Sequence, residues 1–276
     1  GSYKLHIFQT FIFCNTSFVD ISSSATLEDI IFATLQKTTQ NILYLYPWVY
    51  PSLPAAEWKN LLNLFKVYWH NFILSMSRDA TLYQIPYPFV FQCFTGCDLY
   101  PNGSYTKFYH LAYNGHDFLS FDVDRIHWER QQDSELAVQV EKQFSTFLGF
   151  SETLQELLNI TCVDYMKKFI KYGRATLERQ VTPVATVFAR TPSSAQLLLV
   201  CHVTGFYPRP ISVDWLRDGQ EVPPGPELNT SAILPNADLT YQLRSVLAVT
   251  PHDGHSYACR VRHRSLGTRS LLIPWG

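Results

Sequence analysis

Charge and long apolar runs are both scarce in this sequence of 276 residues. Charged side chains make up 16% of the chain, against about a quarter in an ordinary soluble protein, and the formal net charge is −1. A near-neutral chain gives no reason to expect nucleic acid or an anionic membrane surface as a partner. No run of about 18 apolar residues occurs, so no segment is expected to span a bilayer. With no leader peptide and no anchor in the sequence, we expect a mature or trimmed ectodomain.

The usual signatures of catalysis and of metal binding are also missing. There is no glycine-rich phosphate loop, no G-x-S-x-G, no H-E-x-x-H and no pair of carboxylates on a shared face. His252 and His255 stand three residues apart, but we expect a polar corner loop there rather than a zinc site. The sequence therefore predicts a protein that is not an enzyme, with no catalytic residue, no metal and no cofactor.

The motifs that are present point to an oxidising compartment. Six cysteines occur, and the closest pair, Cys93 and Cys97, has neither the spacing of a redox site nor that of a zinc ribbon. Four N-x-S/T acceptors predict N-glycosylation, at Asn15, Asn102, Asn159 and Asn229. We interpret the chain as secreted or exposed on a surface.

The last third of the sequence has the pattern of a β-sandwich. Short apolar runs broken by proline and glycine predict strands over 196–203, 211–216, 239–247 and 256–261. Trp215 lies between Cys201 and Cys259, as in the inter-sheet disulfide of an immunoglobulin domain with its packed tryptophan. Tyr257, two residues before the second cysteine, matches the tyrosine corner. We predict an immunoglobulin domain over 181–276.

The first 180 residues divide into two halves, 1–86 and 87–180, and each half begins with strands and ends in a helical segment. In the first half, strands start near Lys4, and apolar residues recur every three or four positions over the predicted helix, 54–82. The second half has strands at 87–94, 108–113 and 118–121, and a hairpin turn at Asn114-Gly115. Its helical part covers 135–178, with Gly149 and Gly173 as kink or end positions.

Several stretches of the sequence resemble one known family. In the last domain, residues 201–208 and 257–261 resemble the constant-type immunoglobulin domains of MHC chains and antibodies. Residues 233–244 resemble the third domain of the lipid-presenting cluster-of-differentiation-one glycoproteins, which are MHC class I-like. The earlier part of the chain also resembles this family. The matching stretches are Phe65 to Tyr68 with Phe72, Gly96-Cys97, Phe121, Trp128, residues 157–162 and residues 177–181.

This resemblance covers nearly the whole chain and implies an α+β fold. An antiparallel eight-stranded sheet topped by two helices would form a groove over 1–180, and a constant-type immunoglobulin β-sandwich would follow over 181–276. The resemblance also implies a Cys97–Cys162 disulfide from the second helix to the sheet floor. It implies a β2-microglobulin light chain under the sheet, where downward-facing Phe94 and Val90 would need cover. It implies a cell-surface protein that recycles through endosomes and presents lipids to T-cell receptors.

The positions of the groove residues follow from that disulfide. If Cys97 points toward the helix above it, alternate residues of its strand share the groove side, and the residues on the inward helix faces oppose them. Each buried methylene is worth about 0.8 kcal/mol, so an acyl chain gains affinity with length. The predicted lipid-binding residues are Gln9, Phe11, Phe65, Tyr68, Phe72, Met76, Phe89, Phe91, Cys93, Leu111, Tyr113, Val140, Phe144, Phe147, Leu154, Leu158, Tyr165 and Phe169.

Bulky aromatic residues at these positions predict a groove that is partly filled and smaller than the family norm. The residues concerned are Trp69, Phe72, Phe89, Phe91, Phe144, Phe147 and Phe150. Cys14 and Cys93 are left without a partner. We expect two free, buried thiols, with a bridge between them as the alternative.

The sequence departs from the family where a sugar head group would bind. Glycolipid-presenting members carry an Arg-Asp pair after the aromatic residue of the first helix, and this chain has Leu74-Ser75. On the second helix, apolar residues from Phe147 to Phe150 stand where members use acidic and hydroxyl groups. The departure weakens the case for a glycolipid ligand.

Two other class I-like functions compete with lipid presentation. A peptide-presenting chain needs polar groups for the peptide termini, and Leu157, Phe169 and the apolar stretch 144–150 would leave them unsatisfied, at about 1–3 kcal/mol per group. A receptor with a narrowed, empty groove would use histidines that titrate in acid. The nine histidines are scattered, with His252, His255 and His263 the only ones near each other, so support for this alternative is thin.

Overall fold

Alternating apolar residues in the first 130 residues form one antiparallel sheet of eight strands. Their spatial order is β4-β3-β2-β1-β5-β6-β7-β8, so the two halves of the platform meet where β1 pairs with β5. This computed structural model describes residues 2–276. The strands are β1 (Tyr3–Asn15), β2 (Phe18–Leu27), β3 (Ile30–Gln36), β4 (Asn41–Tyr44), β5 (Phe89–Leu99), β6 (Tyr105–Tyr113), β7 (His116–Asp122) and β8 (His127–Arg130).

Local sequence sets the turns and the helix ends. Asn114 and Gly115 both have positive φ, 47° and 80°, which is the type I′ geometry of a two-residue hairpin between β6 and β7. Helix α1 (Ala55–Leu82) starts after Pro54 and carries Glu57 in its first turn, where the helix dipole favours a carboxylate. Ser134 caps the next helix, because its Oγ accepts a hydrogen bond from the Ala137 N–H at 3.2 Å.

The second helical segment, expected over 135–178 with kinks or ends at Gly149 and Gly173, is divided into three helices. These are α2 (Glu135–Thr146), α3 (Leu148–Glu156) and α4 (Cys162–Leu177), with a π-helical turn at Leu157–Thr161. The first break is at Phe147, whose ψ is 70°, and not at Gly149. Within the described residues, no helix is long and apolar enough to cross a membrane.

Gly173 has a packing role instead of the expected kink or end position. It lies inside α4, and a Cβ at this position would come within 2.9 Å of the Trp48 ring. Only a residue without a side chain lets the helix approach that tryptophan so closely.

The last part of the chain forms a β-sandwich, as predicted. The chain divides into two compact units, Gly1–Leu177 and Glu178–Gly276. In the second unit, one sheet contains β13-β15-β10-β9 with β14 on β15, and the other contains β12-β11-β16-β17. The bounds are β9 (Val184–Ser193), β10 (Gln196–Phe206), β11 (Ile211–Arg217), β12 (Gln220–Glu221), β13 (Leu228–Thr230), β14 (Leu234–Pro235), β15 (Tyr241–Val249), β16 (Tyr257–His263) and β17 (Leu271–Trp275).

The core of this sandwich has the immunoglobulin pattern. Cys201 and Cys259 form the disulfide between the two sheets, and Trp215 is fully buried in the same core. Tyr257 differs from the usual corner, because its hydroxyl donates to the Asp253 carboxylate at 2.6 Å rather than to a backbone carbonyl. Asp253 lies in the loop of His252 and His255, so that loop supports the fold.

Candidate functional site

A cavity of about 1020 Å³ lies between the helices and the sheet of the first unit. Residues of β1, β2, β3, β5 and β6 form its floor, and α1 and the α2–α4 segment form its walls. The disulfide Cys97–Cys162 joins β5 to the start of α4, as the resemblance implied. The cavity is at the upper end of the usual size for a small-molecule site.

Ten of the predicted groove residues line this cavity. On the floor and on α1 they are Gln9, Phe65, Tyr68 and Phe72, and on the second helical segment they are Phe144, Phe147, Leu154, Leu158, Tyr165 and Phe169. Nine of these ten residues belong to the two helical walls, and Gln9 lies on β1. Whether these residues bind a lipid is taken up below.

The other eight predicted residues lie in a packed core beyond the cavity wall, and their expected place in the lining was wrong. They are Phe11, Met76, Phe89, Phe91, Cys93, Leu111, Tyr113 and Val140. The side chains above β5 are large enough to meet each other: Phe13 stacks on Phe89 at 4.5 Å, and Phe11 contacts Phe72 at 4.7 Å. One end of the trough is thus filled by aromatic rings, as the aromatic content predicted.

Sequence reasoning missed the opposite end of the cavity, which extends over β2 and β3. Its wall there includes Ser23, Ala25, Phe32, Ala33, Leu35, Trp58 and Leu61. A signal was available, because small side chains run from Ser22 to Ala25 on a strand whose neighbours carry larger ones. Small residues on a sheet floor leave space beneath a helix.

Buried polar groups of the floor form hydrogen bonds with side chains of α1. The Trp69 indole donates to Gln9 Oε1 at 2.7 Å, and the hydroxyls of Tyr68 and Tyr109 lie 2.5 Å apart. Burial raises the pKa of Tyr68 and Tyr109, and it raises the pKa of the Cys93 thiol to about 12. All three groups are therefore neutral at physiological pH, so the floor offers a ligand no charge.

Hydrogen bonds and ring contacts join the two helical walls. Ser75 donates to Gln143 Oε1 at 3.0 Å, and the Gln143 amide donates to Asp79 Oδ1 at 3.1 Å. Further along, the ring of Phe150 stacks parallel to Tyr68, with 5.5 Å between centroids. These contacts hold α1 against α2 and α3 and narrow the way into the cavity.

Family comparisons agree with this geometry. Residues 1–176 match an MHC-I family domain, and residues 185–266 match an immunoglobulin C1-set domain. The sequence is 35% identical to human T-cell surface glycoprotein CD1e, over 99% of this chain and 69% of that protein. It is 34% identical to antigen-presenting glycoprotein CD1d of Sylvilagus floridanus, over 100% and 99% of the two chains. The chain belongs to the CD1 family.

Two solved CD1 structures share the fold. Chicken CD1-1 superposes with a TM-score of 0.92 at 48% identity, covering 99% of this chain and 100% of its own. Chicken CD1-2, solved with a bound fatty acid, has a TM-score of 0.92 at 41% identity, covering 100% and 98%. The MHC class I-like platform followed by an immunoglobulin domain is therefore the architecture of this chain, as expected from the resemblance.

The underside of the CD1 platform carries a cluster of rings. Phe8 stacks on Phe94 at 4.9 Å, Phe94 contacts Phe108 at 4.7 Å, and His6 lies edge-on to Phe94 at 5.0 Å. Phe8 remains 42% exposed in the isolated chain. Phe94 faces down as predicted, and the cluster is an apolar surface suited to a partner.

The structure shows how exposed the two remaining cysteines and the glycosylation motifs are in this CD1 chain. Cys14 and Cys93 are both free, and Cys93 is buried while Cys14 is only half-buried. Three acceptors are exposed: Asn15 at the end of β1, Asn102 in a turn and Asn229 within β13. The fourth acceptor, Asn159, is half-buried in the π-helical turn of the second helical segment.

Proposed function

We propose that this protein binds the alkyl chains of a lipid in the cavity between its helices and presents the polar head at the cell surface to T-cell receptors. The observation that carries the proposal is the chemistry of the cavity wall, which is largely aliphatic and aromatic. An alkyl chain gains about 0.8 kcal/mol for each methylene removed from water, so affinity grows with chain length. The ligand-binding residues are the ten groove residues that line the cavity.

The same wall disfavours a peptide. A peptide backbone brings one donor and one acceptor per residue, and its charged ends need hydrogen-bond partners. The floor groups that could serve, Gln9, Tyr68 and Tyr109, already bond to neighbouring side chains. Relatives support a lipid ligand instead. Chicken CD1-2 was solved with a bound fatty acid, and the relative from Sylvilagus floridanus is the antigen-presenting glycoprotein CD1d.

A β2-microglobulin light chain is the proposed partner for the underside of the sheet. The ring cluster of His6, Phe8, Phe94 and Phe108 supplies an apolar surface there, and burying such rings is a common anchor of protein interfaces. The four acceptor asparagines are the proposed glycosylation sites. Cell-surface display with endosomal recycling completes the proposal, by analogy with the T-cell surface glycoproteins it matches.

Mass spectrometry of an organic extract from the purified heterodimer, without added lipid, tests the central proposal. We expect a fatty acid or phospholipid in stoichiometric amount, and its chain length would report the usable part of the cavity. Peptides in an acid eluate, with no lipid, would overturn lipid presentation. An extract empty of both would favour a receptor that works without a groove ligand.

A further inference from the structure

The wall of the cavity carries almost no charge, and its one exception is informative. Of the described residues that line the cavity, Arg78 alone has a charged side chain. It is near the end of α1, and Leu74 and Ser75, one turn earlier on the same helix face, also line the cavity. Its side chain is 67% exposed, so the guanidinium sits at the open edge of a largely apolar site.

Most other polar groups at this edge are already engaged, and the exception is Asn71, an exposed neutral amide of α1 that also lines the cavity. Ser75 bonds to Gln143, Thr146 donates to the carbonyls of its own helix, and Thr153 donates to the Gly149 carbonyl at 2.9 Å. These groups hold the helices together or satisfy local backbone, so they have little capacity left for a ligand.

Arg78, by contrast, keeps most of its donors available. Its nearest carboxylate is Asp79, with 3.7 Å between Nε and Oδ1, which is beyond hydrogen-bond reach. Asp79 is itself buried and accepts from Gln143 instead. In the described part of the chain, no hydrogen bond engages the terminal nitrogens of Arg78, and a guanidinium presents those donors in a fork that matches a carboxylate or phosphate.

We propose that Arg78 is the head-group residue of this site and selects lipids with an anionic head, such as a long-chain carboxylate, over neutral lipids of equal length. The inference rests on the proposed lipid-binding function and adds the class of ligand. The alkyl chain lies in the apolar cavity, and the head pairs with the one cation at its edge. Leu74 and Phe147, both more than half exposed, flank that edge with apolar side chains.

Matched single-chain probes test this assignment. Hexadecanoate and hexadecanol share one alkyl chain and differ in the head, and their affinities are measured at pH 7.4 by displacement of a fluorescent fatty acid from the delipidated heterodimer. We expect hexadecanoate to bind about fivefold more tightly than hexadecanol, because the ion pair is partly exposed and its gain is modest. Arg78→Gln should remove that preference and leave the affinity for hexadecanol unchanged.

The control variant is Arg125→Gln, which removes another exposed arginine that does not line the cavity. It should keep the full preference for hexadecanoate. Equal binding of both probes by the wild-type protein, or equal weakening of both by Arg78→Gln, would overturn the role of Arg78 while lipid binding itself stood. Failure of both probes to bind would overturn lipid binding and this inference with it.

Discussion

At the residue scale, Asp79 is a buried carboxylate whose hydrogen bonds are incomplete. One of its carboxylate oxygens accepts from Gln143, and the other, Oδ2, has no hydrogen-bond partner. Burial raises the pKa of Asp79, and the Gln143 amide and Arg78 offset the effect only in part. The ionised carboxylate therefore destabilises the folded state at every pH above its folded pKa, and this cost disappears below the ordinary value of 3.8.

We predict that Asp79→Asn stabilises the protein by about 1 kcal/mol at pH 7, because it removes a buried and incompletely bonded charge. The gain should shrink as the pH falls and vanish near pH 3.8, where the wild-type carboxyl is neutral both folded and unfolded. Urea unfolding across the pH range measures it, with Asp133→Asn, whose carboxylate is 99% exposed, as the control. A gain that stayed constant with pH would contradict the explanation.

Gly173 is a second position where a single substitution should change the stability of the fold. Gly173→Ala would force its new Cβ against the rigid Trp48 ring, and we predict a loss of about 1–3 kcal/mol, seen as a lower Tm. Gly149→Ala is the matched control, because nothing lies within 4 Å of a Cβ there. It should be neutral or stabilise the helix slightly. Equal effects of the two substitutions would exclude the close approach as the cause.

At the scale of elements, the breaks in the second helical segment shape the cavity. The turn at Phe147 separates α2 from α3, and the disulfide at Cys162 ties the start of α4 to β5. All three helices contribute to the cavity wall, through Phe144 of α2, Leu154 of α3 and Phe169 of α4, while Val140 of α2 packs into the filled end.

The eight-stranded sheet has two faces with different roles: the upper face forms the cavity floor, and the underside carries the ring cluster. We predict that Phe8→Ser weakens association with β2-microglobulin about tenfold, because it removes an exposed ring from the cluster on the underside. Surface plasmon resonance with immobilised light chain measures the change. Phe18→Ser, at another exposed phenylalanine outside the cluster, should leave affinity unaltered. If the two variants behaved alike, the cluster would not be the contact surface.

At the scale of the whole molecule, the volume of the cavity should set the length of the ligand. Ala25 and Ala33 pair across β2 and β3 and both line the open end. We predict that Ala25→Phe shortens the alkyl chains recovered by mass spectrometry and weakens long-chain binding by about 0.8 kcal/mol per methylene displaced. Ala175→Phe, an exposed position of α4 outside the cavity, is the control. Unchanged chain lengths would place the alkyl chain elsewhere.

Much of this architecture was predictable because it depends on local patterns. Alternation along β5 predicted which of its residues face the helices, the Asn114-Gly115 turn is a local conformational preference, and the cysteine and tryptophan spacing marked the immunoglobulin domain. The Cys97–Cys162 disulfide was predicted from the family resemblance alone, and the structure contains it.

The amino-acid sequence by itself determined the order of elements, the faces they bury and the apolar character of the space between the helices, since periodicity and side-chain chemistry are local properties. Only the tertiary structure decided which inward-facing residues leave space and which fill it. Phe89 and Phe91 face the helices as predicted, yet they meet Phe13 and Phe118 and leave no cavity. The open space lies instead above the small residues of β2 and β3, because a void depends on the summed volumes of side chains that come together from distant strands.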